Sequence, residues 1–136
     1  MKKLTQALIV AVTLSAALMP AMAEVVIVVN AKNAATHMSL EQASQFFLGK
    51  STMFTPVDQS EGSAIRAEFY KKVADKEPSQ VKALWSKLVF TGKGTLPKEY
   101  NSSADVKKAL AADPNGIGYI EKSAVDASVK VVSSLP

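Results

Sequence analysis

The chain carries one histidine, His37, and no cysteine among its 136 residues, which removes most of the metal and nucleophile chemistry a protein can build. A zinc or transition-metal site needs several ligands in a compatible spacing, and the carboxylates here show none. Ser63 stands where a turn meets a helix. However, Glu61-Gly62-Ser63-Ala64 is not a G-x-S-x-G elbow, and a single histidine is the only base of its kind. Gly92-Lys93-Gly94 is too short for a Walker loop and runs into Thr95-Leu96-Pro97. No metal, cofactor or catalytic residue is expected, and the chain reads as a non-enzyme. Gly116 and Gly118 leave two readings open: close approach of the backbone to a ligand, or the tight turn Asp113-Pro114-Asn115-Gly116 before a strand.

One segment stands apart. Ser60-Glu61-Gly62-Ser63 immediately precedes an amphipathic helix, so backbone N–H groups from Ser63 to Arg66 point outward from a helix start. Helix starts of this kind bind oxyanions through exposed amides and the helix dipole. Gly62 would let the chain turn, and the hydroxyls of Ser60 and Ser63 would add donors. Arg66, one turn in, or a nearby lysine would supply charge. Ser60, Gly62, Ser63, Ala64 and Arg66 are therefore the candidate ligand-binding residues. The competing reading is that Ser60 or Ser63 merely caps its own helix.

These residues need elements to hold them. Glu24 to Asn30 is an almost continuous β-branched run, suited to a strand covered on both faces. Ser39 with Gln42 signals a capping box, and Leu40, Ala43, Phe46 and Phe47 recur at helical spacing up to Gly49, placed for a C′ residue. Thr52 to Val57 reads as extended, and Asp58 to Ser63 as a polar turn. Ile65, Phe69 and Val73 make one helical stripe. Pro78 opens a further helix whose apolar face is Val81, Leu84, Trp85 and Leu88, broken at Thr91 to Gly94. Ser102 or Ser103 caps a helix bearing Val106, Ala109 and Leu110. Ile117 to Ile120 and Val129 to Val132 read as strands. The alternation predicts one compact α/β domain with Ile65, Phe69, Trp85, Leu88, Val106, Leu110 and Ile117 in its core. The strand order does not follow from the string.

Ahead of this domain, Lys2-Lys3, an apolar run from Ala7 to Met19 and Ala21-Met22-Ala23 form the pattern of a cleavable signal peptide. The expected organisation is a leader at 1–23 and a domain at 24–136, delivered to the periplasm and not anchored in the membrane after cleavage. The chain has 16 Lys+Arg against 12 Asp+Glu; two of those lysines lie in the leader, so the domain is close to +2. Its basic residues are scattered, which excludes a nucleic-acid footprint.

Taken in order, five stretches of the chain resemble the periplasmic phosphate-binding proteins of bacterial ABC importers, specifically their second lobe. They are Val26-Ile27-Val28-Val29-Asn30, Leu40 through Phe46-Phe47-Leu48-Gly49-Lys50, Glu61-Gly62-Ser63 with Phe69, Leu88-Val89-Phe90-Thr91-Gly92-Lys93-Gly94, and Gly116-Ile117-Gly118-Tyr119-Ile120. The resemblance implies a type II binding-protein lobe, a small mixed sheet flanked by helices. It also implies phosphate contacts from Gly62, Ser63 and the Ala64 amide. The family often carries an arginine four residues before this serine, where Gln59 stands here, and glycine and threonine after it, where Ala64 and Ile65 stand. The chain supplies one lobe of the usual two. The implied function is exported binding of phosphate or a similar tetrahedral oxyanion linked to ABC-type uptake. The implied partners are that anion, an ABC permease or another envelope protein, and a second copy of the chain. The alternative is a non-catalytic periplasmic accessory module that kept the fold without high-affinity anion binding.

Overall fold

The computed structural model describes residues 24–136; the expected leader at 1–23 lies outside the described residues. β1 (Val25–Asn30) is buried along its whole length, as its unbroken β-branched run requires. It is followed by α1 (Leu40–Phe47), β2 (Thr55–Gln59), α2 (Ala64–Ala74), α3 (Pro78–Phe90), β3 (Lys98–Tyr100), α4 (Ser103–Ala112), β4 (Gly116–Glu121) and β5 (Val129–Ser134). The five strands form one mixed sheet in the order β3-β2-β4-β1-β5. β1 runs antiparallel to both neighbours, with Ile27 opposite Tyr119 on β4 and Asn30 opposite Val129 on β5. β2 runs parallel to β3 and β4.

The period-two alternation of β1 divides the core into two layers. Val25, Ile27 and Val29 face a cluster with Phe46, Phe47, Ile65, Phe69, Tyr70, Val81 and Trp85, so α1, α2 and α3 cover that side. Val26 and Val28 face Val57, Val106, Leu110 and Ile120, so α4 covers the other. Both clusters consist entirely of residues between 25 and 135. The expected compact α/β domain, a small mixed sheet flanked by helices, is what the chain forms.

Several sequence expectations hold in detail. Ser39 Oγ accepts from the Gln42 amide at 3.1 Å while Gln42 Oε1 accepts from the Ser39 amide at 3.0 Å, completing the capping box. Gly49 follows the C-cap of α1 with φ 71°, and a Cβ there would meet Leu88 Cδ1 at 2.6 Å. Two details differ. Leu88 is half-buried at the margin of the core, because the end of α3 overhangs it. Asp58 and Gln59, read from sequence as part of a polar turn, instead complete β2, and a short edge strand, β3, pairs beside them. Gly116 and Gly118 are explained by helix packing: a Cβ at Gly118 would meet Val106 Cγ1 at 2.9 Å, and one at Gly116 would meet Leu110 Cδ2 at 2.8 Å.

The connections place the site. From β2 the chain crosses one face by α2 and α3 to reach β3. It then returns across the other face by α4 to β4, on the far side of β2. The two crossovers leave the adjacent carboxyl ends of β2 and β3 toward opposite faces, and such a crevice is where open α/β sheets take their ligands.

Candidate functional site

The carboxyl end of β2 feeds directly into α2 through Ser60 to Ser63. The Ser63 amide donates to the Ser60 carbonyl at 2.9 Å and the Ser60 amide donates to Tyr100 O at 2.9 Å, so the turn is fastened to β3. Gly62 has no positive φ, and a Cβ on it would meet nothing within 4 Å. The sharp turn expected at Gly62 therefore does not depend on glycine. Its bare surface leaves open space at the rim. Ala64 is exposed, Ser60 and Ser63 are half-buried, and Glu61 pairs with Lys82 at 3.2 Å.

Ser63 occupies the N-cap of α2, but its side chain caps nothing. Its Oγ donates to Gln59 Oε1 at 2.7 Å. Gln59 is only 3% exposed, and its Nε2 donates to the Tyr119 carbonyl at 2.9 Å, bridging β2 to β4 where the registered ladder, Thr55 with Gly116 and Pro56 with Ile117, has ended. The capping reading of Ser63 thus fails geometrically. The α2 start is left without a side-chain acceptor for its first amides.

Arg66 sits with these residues but is directed inward. It is 4% exposed, and its Nη1 donates to the Gln59 carbonyl at 2.7 Å and to Glu99 Oε1 at 2.8 Å, with Asp58 Oδ2 at 3.8 Å. Its Nε is buried without a partner. Burial works against its charge, yet Glu99 and then Asp58 hold its pKa above the ordinary arginine value. The positive charge expected at the rim is therefore already engaged by two carboxylates.

Beneath the rim lies a polar cluster that sequence reasoning missed. Asp58, 3% exposed, accepts from the Tyr70 hydroxyl at 2.5 Å, the Tyr119 hydroxyl at 2.5 Å and the Gln59 amide at 2.8 Å. Burial raises the Asp58 pKa, opposed by the bonds from Tyr119 and Tyr70 and by the Arg66 charge. Burial and then the Asp58 charge push both phenols far above their usual range, so they remain protonated donors. The Phe69 ring stacks on Tyr119 at 3.8 Å between centroids. A signal was present in the sequence: Arg66 and Tyr70 lie one turn apart beside the buried Phe69, and a buried tyrosine needs a partner for its hydroxyl.

A cleft of about 240 Å3, lined by Asp58, Glu61, Arg66, Lys82 and Glu99 among others, opens next to this cluster. His37 is exposed on its loop. Among the described residues no group of three His, Cys, Asp or Glu side chains is placed to hold a metal ion. Ser63 is paired with a neutral amide, which cannot activate it as a nucleophile. The Ser63 amide donates to Ser60 O and the Arg66 amide to Ser63 O at 3.3 Å. What the arrangement offers chemically is therefore the amide of exposed Ala64, with that of Ile65 behind it, and one half-buried serine hydroxyl at a strand's carboxyl end.

No protein-family model matches the sequence, and no curated protein matches it. Solved structures do share its fold. One is a substrate-binding protein assigned to phosphate ABC transport in Clostridium perfringens, holding phosphate; it is 22% identical with TM-score 0.64, over 81% of this chain and 44% of that one. Another is an ABC-type phosphate transport receptor from Vibrio cholerae, 22% identical with TM-score 0.65, over 81% of this chain and 46% of that one. The chain therefore spans less than half the length of either protein. What it shares with them is the fold, that of one binding-protein lobe.

Proposed function

We propose that this chain supplies one lobe of a solute-binding-like protein, exported to the periplasm, that takes phosphate or a similar tetrahedral oxyanion at the start of α2 in connection with ABC-type uptake. The observation that carries the reading is the uncapped α2 start at the carboxyl end of β2, with Ser63 at its mouth. Two phosphate-transport proteins of the same fold support the choice of anion. The site uses neutral donors in a wet setting, and Arg66 is spoken for by Glu99. The expected affinity is accordingly low, about millimolar, or roughly 4 kcal/mol. Calorimetry of residues 24–136 should show saturable binding of phosphate and sulfate. Ser63→Ala should weaken it by about 1 kcal/mol, because the hydroxyl must leave Gln59 to reach the anion. Absence of any saturable signal at millimolar anion, from folded protein cleared of phosphate, defeats the reading. Binding that Ser63→Ala leaves intact moves the site elsewhere.

A second reading, a non-catalytic periplasmic accessory module, is favoured by one observation: Arg66 is held inward by Asp58 and Glu99 while Glu61 occupies the rim. An envelope protein captured equally with and without phosphate would support it. For the location itself, N-terminal sequencing of the exported product should begin at Glu24, and intact Met1 in the cytoplasmic fraction would refute export.

A further inference from the structure

Among the described residues the exposed large apolar side chains are Met53, Val89, Phe90 and Leu96, at 78%, 47%, 92% and 56% exposure. Val89 and Phe90 end α3, whereas Leu96, in the loop after it, lines the cleft that also holds Asp58, Glu61, Arg66 and Glu99. The loop after α3 doubles back along that helix. A Cβ at Gly94 would lie 3.2 Å from the Trp85 ring, and Leu96 shares a cleft with Lys82 and Trp85. The segment around Met53 faces this loop across a second cleft of about 430 Å3. Ala83, Ser86, Lys87 and Phe90 recur at i, i+3, i+4 and i+7, and all four are exposed. Phe90 thus stands on the solvent face of α3, away from the buried Val81 and Trp85.

The stretch formed by α3 and the loop after it carries charge of one sign, though Glu61 and Glu99 border its cleft. Between Glu77 and Glu99 the chain has Lys82, Lys87, Lys93 and Lys98 and no Asp or Glu. Glu61 pairs with Lys82, but among the described residues no ion pair engages Lys87, Lys93 or Lys98. An aromatic side chain in water beside unpaired lysines matches an anionic bilayer, where the ring enters between headgroups and the ammonium groups meet phosphates. A second copy of the chain would bring lysines against lysines. The core of a protein interface is a contiguous apolar patch, whereas the neighbours of Phe90 on this face, Ala83, Ser86 and Lys87, are small or charged. We propose that the carboxyl end of α3 and the 91–94 turn, where the Lys93 amide donates to Leu88 O, dock the protein on an anionic lipid surface, with Phe90 inserted and Lys87 and Lys93 against the headgroups. The proposal is independent of anion binding at Ser63.

The test is sedimentation of residues 24–136 with vesicles of phosphatidylglycerol and, separately, of phosphatidylcholine. This segment is suitable because it contains both core clusters whole, and omitting the apolar 1–23 run removes its own affinity for lipid. Binding is expected to phosphatidylglycerol only, and to be lost in high salt. Lys87→Ala and Lys93→Ala should each weaken it about fivefold, since a lysine near such a surface contributes about 1 kcal/mol. Phe90→Ser should weaken it about tenfold without changing the melting temperature, because the ring packs on little in the free protein. Failure to bind phosphatidylglycerol at millimolar lipid, equal binding to phosphatidylcholine, or indifference to Phe90→Ser and both lysine changes overturns the proposal. Binding to soluble polyglutamate as strong as to vesicles, with Phe90→Ser silent, would instead assign the surface to an acidic protein. A dimer dissolved by Phe90→Ser, without vesicle binding, would assign it to a second copy.

Discussion

At the starts of α1 and α4 the preceding serine turns back on its own helix: Ser39 Oγ accepts from the Gln42 amide at 3.1 Å, and Ser102 Oγ accepts from the Asp105 amide at 3.2 Å. Ser63, at the equivalent place before α2, donates to Gln59 instead. The residue type is the same in all three cases, so the difference comes from the surroundings. Ser39 is exposed and Ser102 half-buried, and each bonds an amide of its own helix. α2 starts at the carboxyl end of a central strand, where a buried glutamine presents an oxygen to it. Gln59 is in turn held by Asp58 and Tyr119. The open helix start is therefore a consequence of the buried cluster below it, and the two can be tested together.

The largest expected effect comes from removing the support. Asp58→Ala leaves two phenols and the Gln59 amide without their buried acceptor and removes a carboxylate 3.8 Å from Arg66, and should lower unfolding free energy by about 3–5 kcal/mol in urea titration. A loss below 1 kcal/mol would mean the cluster does not hold β2 in place. The same residue sets a pH dependence. Its pKa is raised in the fold, chiefly by burial, so its contribution is fully present below the unfolded value near 3.8 and is lost as pH rises through the raised value. Asp58→Asn should flatten the stability profile over that interval. A profile unchanged by Asp58→Asn removes Asp58 as its source.

Next come the caps themselves. Ser39→Ala and Ser102→Ala should each cost about 1 kcal/mol and leave anion binding untouched. Ser63→Asp sharpens the contrast, because a carboxylate at that N-cap can accept from the open amides and so compete with any anion there. Thermal protection by phosphate should vanish in Ser63→Asp and persist in Ser39→Asp; equal protection in both would erase the distinction between the helix starts. The smallest effect is expected at Gly62, whose negative φ and open surroundings tolerate a methyl group. Gly62→Ala should change stability by less than about 0.5 kcal/mol, and a larger loss would show that the turn is strained after all.

Much of this protein was legible along the chain. The β1 run, the Ser39-Gln42 box, Gly49 at the end of α1, Pro78 at the start of α3 and the Ile65-Phe69-Val73 stripe are local patterns. They depend on neighbours within a turn or along one strand, so spacing alone reveals them. Ser63 was legible as a helix start, and Gly62 and Ala64 as its rim. What the string did not contain was the destination of polar side chains. Asp58 and Gln59 look like turn residues because both are hydrophilic. They are buried because Tyr70 and Tyr119 (the latter sixty-one residues from Asp58) arrive with hydroxyls to satisfy them. Arg66 looked available to a ligand and is instead engaged by Glu99 on an edge strand too short for periodicity to mark. The direction of a hydroxyl or guanidinium depends on which partner lies nearest in three dimensions, and the desolvation cost of leaving it unpaired enforces that choice. Spacing along the chain therefore located the α2 start, and only the packing of β2 against β3, β4 and α2 decided that its serine would leave the helix uncapped.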